Sequence, residues 1–152
     1  MQQFNLALSR DNICNNIYAL SALRSFTTPE DSPFPAILTP DNRKALILVI
    51  NDAFSNITMR LLSIVSNIDF DNNEDIMMLT IEVCDRVAPS SANTLRALLE
   101  SSITHYVLHL CYDVANTSKS NNYLDRVDAD ISSIHAILAV TPPTNTIARF
   151  PR

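Results

Sequence analysis

The chain has 152 residues, 47% hydrophobic and 18% charged, which suits one domain with a real core and not a disordered segment. Its formal charge of −5 argues against a general nucleic-acid binder, which would present a basic face. Glycine is absent, and this excludes P-loops, dinucleotide fingerprints, nucleophile elbows and EF-hands, all of which need it at strained or closely approached positions. Tight hairpins also favour glycine, so an all-β fold is not expected.

Residues 2–8, QQFNLAL, set Phe4, Leu6 and Leu8 against Gln3 and Asn5. That alternation predicts a short strand. Little other strand signal follows, so its expected partner is another subunit, and residues 1–8 read as an N-terminal arm. Ser9 caps a first helix over about 10–25, with Ile13, Ile17 and Leu20 as its stripe and Leu23 beside it. Pro29, Pro33 and Pro35 make residues 26–38 a loop or extended connector. A second helix opens with Thr39 as N-cap, Pro40 at the first position and Asp41 complementing the dipole. Leu46, Ile50, Ala53, Ile57, Leu61, Ile64 and Ile68 recur at helical spacing, which marks this as the central, most buried helix.

Asp71 and Glu74 fit a capping-box-like start to a third helix. It carries Ile76, Met77, Ile81, Val83, Cys84 and Val87, and Pro89 ends it. Ser90 or Ser91 caps a fourth, with Leu95, Leu98, Leu99, Ile103, Tyr106, Leu110 and Val114, until NTSKSNN breaks it. The fifth has the cleanest stripe, Leu124, Val127, Ile131, Ile134 and Leu138, and Pro142 and Pro143 stop it. The expected fold is all-α: one domain over 1–152, a bundle of four to five helices with its core at about 10–140, an extended N-terminal segment and an extended C-terminal tail at 141–152.

Candidate chemistry is sparse. HYVLH puts His105 and His109 four apart, with Asp113 one turn on, so three possible metal ligands share a helix face. The general-base Glu of H-E-x-x-H is missing. A histidine pair beside the apolar stripe is the simpler reading, and no metal or cofactor is expected. His135, beside Ile134, reads as a partly buried, hydrogen-bonded histidine. No serine has a recognisable nucleophile setting and no carboxylate pair stands out, so no enzyme is expected. Asp125, Asp128 and Asp130 read as a solvated acidic face or a surface for a basic partner. Arg43 and Lys44 oppose the second helix's dipole; surface exposure accounts for them, and an acidic neighbour is the alternative.

Cys14, Cys84 and Cys111 are far apart with no C-x-x-C pair, so reduced thiols are expected and neither structural zinc nor a disulfide framework. No signal peptide is read at the N-terminus, and the apolar run at 45–50 is too short for a bilayer, so no membrane partner is expected. In the tail, Arg149 and Arg152 flank Phe150 and Pro151. With Ile147 they supply the residue types that anchor interfaces, against the plainer reading of a frayed end.

Two stretches in combination carry a family likeness. One is LSRDNICNNIYALSALRSF, followed by a variable loop and LTPDNRKALILVINDAFSNITMRLL. The other is ITHYVLHLCYDVAN, followed by NNYLDRVDADISSIHAIL and a tail with spaced arginines. Together they cover most of the chain. The layout resembles small helical virion proteins, neck or head–tail connector components, of tailed phages and prophages of Bacteroides-type bacteria, crAss-like phages among them. The resemblance implies a structural subunit without an active site, assembled in the host cytoplasm and located in the virion. It implies a homo-oligomeric ring below the portal, contacting other neck, portal or tail proteins, with DNA passing through the channel without sequence-specific binding. Phe4, Leu6, Leu8, Phe34, Ile147, Arg149, Phe150 and Arg152 are then the candidate interface residues. The alternative is a helical regulatory or inhibitor protein that binds a host protein through an exposed groove.

Overall fold

The opening alternation does form a strand. In a computed structural model, which describes residues 1–27, 37–69, 75–112 and 117–139, β1 (Gln2–Ser9) buries Phe4, Leu6 and Leu8 and exposes Gln3, Asn5 and Ala7. It has a partner within the chain. β1 pairs antiparallel with β3 (Ile76–Val83) of the same chain, matching Phe4 to Ile81, Leu6 to Leu79 and Leu8 to Met77. All six side chains are 7% exposed or less. Phe4, Leu6 and Leu8 are therefore core residues, and their assignment as interface contacts is corrected.

The fold is predominantly helical but not all-α, because the predicted third helix is a strand. The segment IMMLTIEV buries Met77, Leu79, Ile81 and Val83, every second residue. Ile76, Met77, Ile81 and Cys84 also fit a helical stripe, so the sequence supports both periods. The partner decides: β1 offers a matching apolar face that only an extended segment can pair with.

The second helix is also shorter than its apolar spacing predicts. A 3-10 turn at Pro40–Asn42 leads into α2 (Arg43–Arg60). The Asn42 side chain accepts the Thr39 N–H at 3.0 Å, and Thr39 is the extended residue before the turn, as its N-cap reading required. After Arg60 the chain turns, and β2 (Val65–Asp69) pairs antiparallel with β3. Val65 faces Ile81 and Ile68 faces Leu79, with an irregularity between Val65 and Asn67. Ser66 is the extra residue of a bulge. It lets residues three apart share one sheet face, so Ile64, Val65 and Ile68 mimic a helical stripe.

The sheet order is β1-β3-β2. Its inner face meets α3 (Ser91–Tyr112), which also packs against α1 (Arg10–Thr27), α2 and α4 (Thr117–Leu138). Thus α3, not α2, is the central helix; α2 leaves Leu48 and Met59 exposed. Apolar residues from all of these elements join one hydrophobic core, with Phe54, Leu95, Ile103 and Val107 at its centre, each 0% exposed. Ser9 caps α1 as read, its hydroxyl accepting the Asn12 N–H at 3.3 Å.

Candidate functional site

The described residues offer two places where function could reside. The first is the sheet's pair of outer strands. Both β1 and β2 run antiparallel to β3 and so point the same way, and no further strand lies outside either among the described residues. β1 carries no charge and no proline, the devices that normally protect an edge from added strands.

The second place lies where α1, α3 and α4 meet. α4 runs back along α3, so that Ser101 and Asp130 come together about midway along the two helices and Tyr112 and Tyr123 nearer their connection. Ser101 donates its hydroxyl proton to Asp130 Oδ2 at 2.7 Å. The serine has then used its only proton, so its oxygen accepts from His105 Nδ1, 3.3 Å away. Asp130 Oδ2 also lies 3.6 Å from that nitrogen. This fixes the tautomer with the proton on Nδ1 and leaves Nε2 as the ring's remaining acceptor. Burial lowers the His105 pKa below the usual imidazole value, Asp130 opposes the shift, and Arg126 reinforces it. The imidazole is therefore neutral at pH 7.

A stack of flat groups continues from this histidine. His105 lies against Tyr123 with ring centroids 6.4 Å apart, and Tyr123 against Tyr112 at 6.2 Å. The Arg24 guanidinium carbon sits 3.6 Å from the Tyr112 ring centroid, a cation–π contact. Burial raises the Tyr123 pKa, and Arg24 and Arg126 both oppose that rise. Beside the stack is a cleft of about 310 Å³ lined by Leu20, Arg24, His105, Asn122, Tyr123 and Arg126, with Leu23 at its edge.

Ser101, His105 and Asp130 include the residue types of a hydrolytic triad but not its geometry. In a triad the serine and the carboxylate use opposite ring nitrogens. Here both sit at Nδ1, and the serine proton is committed to the carboxylate. The arrangement orients a neutral imidazole; it does not activate a serine.

Several sequence readings change against this geometry. Asp130 belongs to the inter-helix network and not to a solvated acidic face, whereas Asp128 forms an exposed ion pair with Arg60 at 2.6 Å. His109 packs on Tyr106, centroids 6.0 Å apart. Asp113 lies outside the described residues, among which no group of three or more His, Cys, Asp or Glu is placed to hold a metal. His135 is exposed, not partly buried. Arg43 does have an acidic neighbour, pairing with Asp11 in the first turn of α1. Cys14, Cys84 and Cys111 are all free thiols. No described helix is long and apolar enough to cross a membrane.

Phe34, Ile147, Arg149, Phe150 and Arg152 lie outside the described residues, as does most of the Pro-rich loop. Sequence reading missed Ser101, Tyr123, Arg126 and Arg24. A signal was present: Ser101 and His105 stand at i, i+4, and Tyr123, Arg126 and Asp130 at i, i+3, i+7, so each set shares a helix face. No protein-family model, curated protein or solved structure matches this chain.

Proposed function

We propose that the chain is a non-enzymatic structural subunit of a tailed phage, one copy in a closed ring of the neck between portal and tail. The observation that carries this reading is the pair of outer strands, which run in the same direction on opposite sides of one small sheet. Such a sheet is open to head-to-tail growth. β2 of one copy would lie parallel to β1 of the next, each adding a strand to its neighbour. A heterologous contact of this kind closes into a ring when its rotation divides a full turn. The uncharged β1 suits that role.

The tail at 141–152 and the Pro-rich loop supply further contacts to portal, neck or tail proteins in this reading, through Phe34, Ile147, Arg149, Phe150 and Arg152. The net charge of −5 lets DNA pass through the channel without being retained by phosphate attraction. The purified ring should accordingly show no submicromolar affinity for duplex DNA at low salt.

Light scattering on the size-exclusion eluate tests the assembly, with electron microscopy of the same fraction. A ring-sized oligomer is expected. Gln3→Lys with Ala7→Lys, both at exposed positions of β1, should return it to monomer with an unchanged circular dichroism spectrum. A wild-type chain that stays monomeric at every concentration and captures one host protein would sink the ring in favour of an inhibitor.

A further inference from the structure

The cleft between α1, α3 and α4 has the make-up of a ligand site, independent of any ring. The chain has 16 acidic and 11 basic residues, yet no carboxylate is among the described residues that line this cleft, while two arginines and a histidine are. The charged groups of the described lining are therefore both cationic, Arg24 and Arg126, with the Asp130 carboxylate behind the neutral His105. Its volume of about 310 Å³ lies at the small end of small-molecule sites, which run from roughly 300 to 1,000 Å³.

Two of the cleft's polar groups are held in place. Arg24 is held over the Tyr112 ring, and His105 is oriented from behind by Ser101 and Asp130. Arg126 is exposed at the surface. We propose that this cleft binds the phosphate group of a small organic phosphate with an apolar or aromatic body. Arg126, Arg24 and the Asn122 amide donate to the phosphate oxygens. His105 Nε2 accepts the remaining proton of a phosphomonoester monoanion, and Leu20 and Leu23 lie against the body of the ligand. Leu23 is 59% exposed, an apolar surface such a body would cover.

Phosphate is favoured over carboxylate by the donor arrangement. Guanidinium groups from two helices, with an amide beside one of them, suit a tetrahedral group with several acceptor oxygens; one guanidinium fork already saturates a planar carboxylate. A small ligand is favoured over a nucleic-acid backbone because the net charge of −5 repels a polyanion.

Titration calorimetry at constant ionic strength tests the assignment, with phenyl phosphate as probe. Benzoate, sulfate and a short DNA duplex serve as comparators. Saturable one-to-one binding of phenyl phosphate is expected. Arg126→Ala should weaken it roughly tenfold or more, the loss of a charge-assisted hydrogen bond. Lys44→Ala, an exposed cation on α2, should leave it unchanged. Circular dichroism confirms that each variant is folded; should Arg126→Ala fail that check, Asn122→Ala replaces it with the same expectation. The proposal is overturned by the absence of saturable binding at tens of millimolar, by undiminished affinity in the folded cleft variant, or by benzoate or sulfate binding as tightly. Duplex binding that depends on Arg126 would overturn the small-ligand assignment.

Discussion

Ser21 is 1% exposed, and its one hydroxyl serves two distant segments. It accepts the Leu38 N–H at 2.6 Å and the Tyr112 hydroxyl proton at 3.2 Å. Removing the oxygen takes away the acceptor that the two donors share, a loss that costs about 1–3 kcal/mol. Ser21→Ala should lower the urea unfolding free energy by that amount, with little change in the slope of the transition. His105 makes the stability depend on pH. Its folded-state pKa lies below the usual 6.5 because the ring is desolvated. Below pH 6.5 the unfolded chain therefore takes up a proton that the folded chain resists. The contribution is complete above 6.5 and is lost as pH falls from there through the folded pKa. His105→Gln should flatten the fall in stability between pH 7.5 and 5.5, read as the difference from wild type. Neither role is legible in the sequence, since Ser21 meets partners 17 and 91 residues away and nothing local marks it.

Among the elements, the starts of the first three helices were legible to within a few residues, whereas α4 begins at Thr117, inside the polar run NTSKSNN read as a break. Ser9 opens α1, Thr39 and Pro40 precede α2, and Ser91 begins α3 at the first residue. The strands after Arg60 were not, for two separate reasons. β3 has a pattern that fits both periods, so only its pairing with β1 decides it. β2 has a helical pattern because the bulge at Ser66 breaks its alternation. The bulge explanation is testable by deletion. Without Ser66, Val65, Asn67 and Ile68 fall opposite Ile81, Thr80 and Leu79 in an unbroken ladder, and the inward set is kept. That deletion should cost no more than about 1 kcal/mol, chiefly the Ser66 hydroxyl's bond to the Thr80 carbonyl. Deleting Thr80 instead moves Met77 and Leu79 to the outer face of β3, because a one-residue slip inverts every side chain. That variant should fail to fold, as thermal melts and amide NMR dispersion would show.

At the scale of the whole molecule, the buried cluster draws on residues from Phe4 to Ile134, with Ile137 and Leu138 partly buried against it. Among the described residues, the elements packed against α3 lie between β1 and α4. All the described core residues precede the tail, and the expected outcome is that the stability of the body does not depend on residues 141–152. The tail nevertheless contains Ile147 and Phe150 between arginines, residue types that a neighbouring surface would anchor. Removing 141–152 separates the two roles. The shortened chain should keep its helical circular dichroism, and its melting temperature should shift by no more than about 2–4 °C, the equivalent of about 1 kcal/mol in a chain of this size. The ring-sized species seen for the full chain should be lost or weakened. A shortened chain that unfolds would make the tail part of its own core. One that folds and still assembles would leave the sheet edges as sufficient for the ring and remove the arm from the proposal.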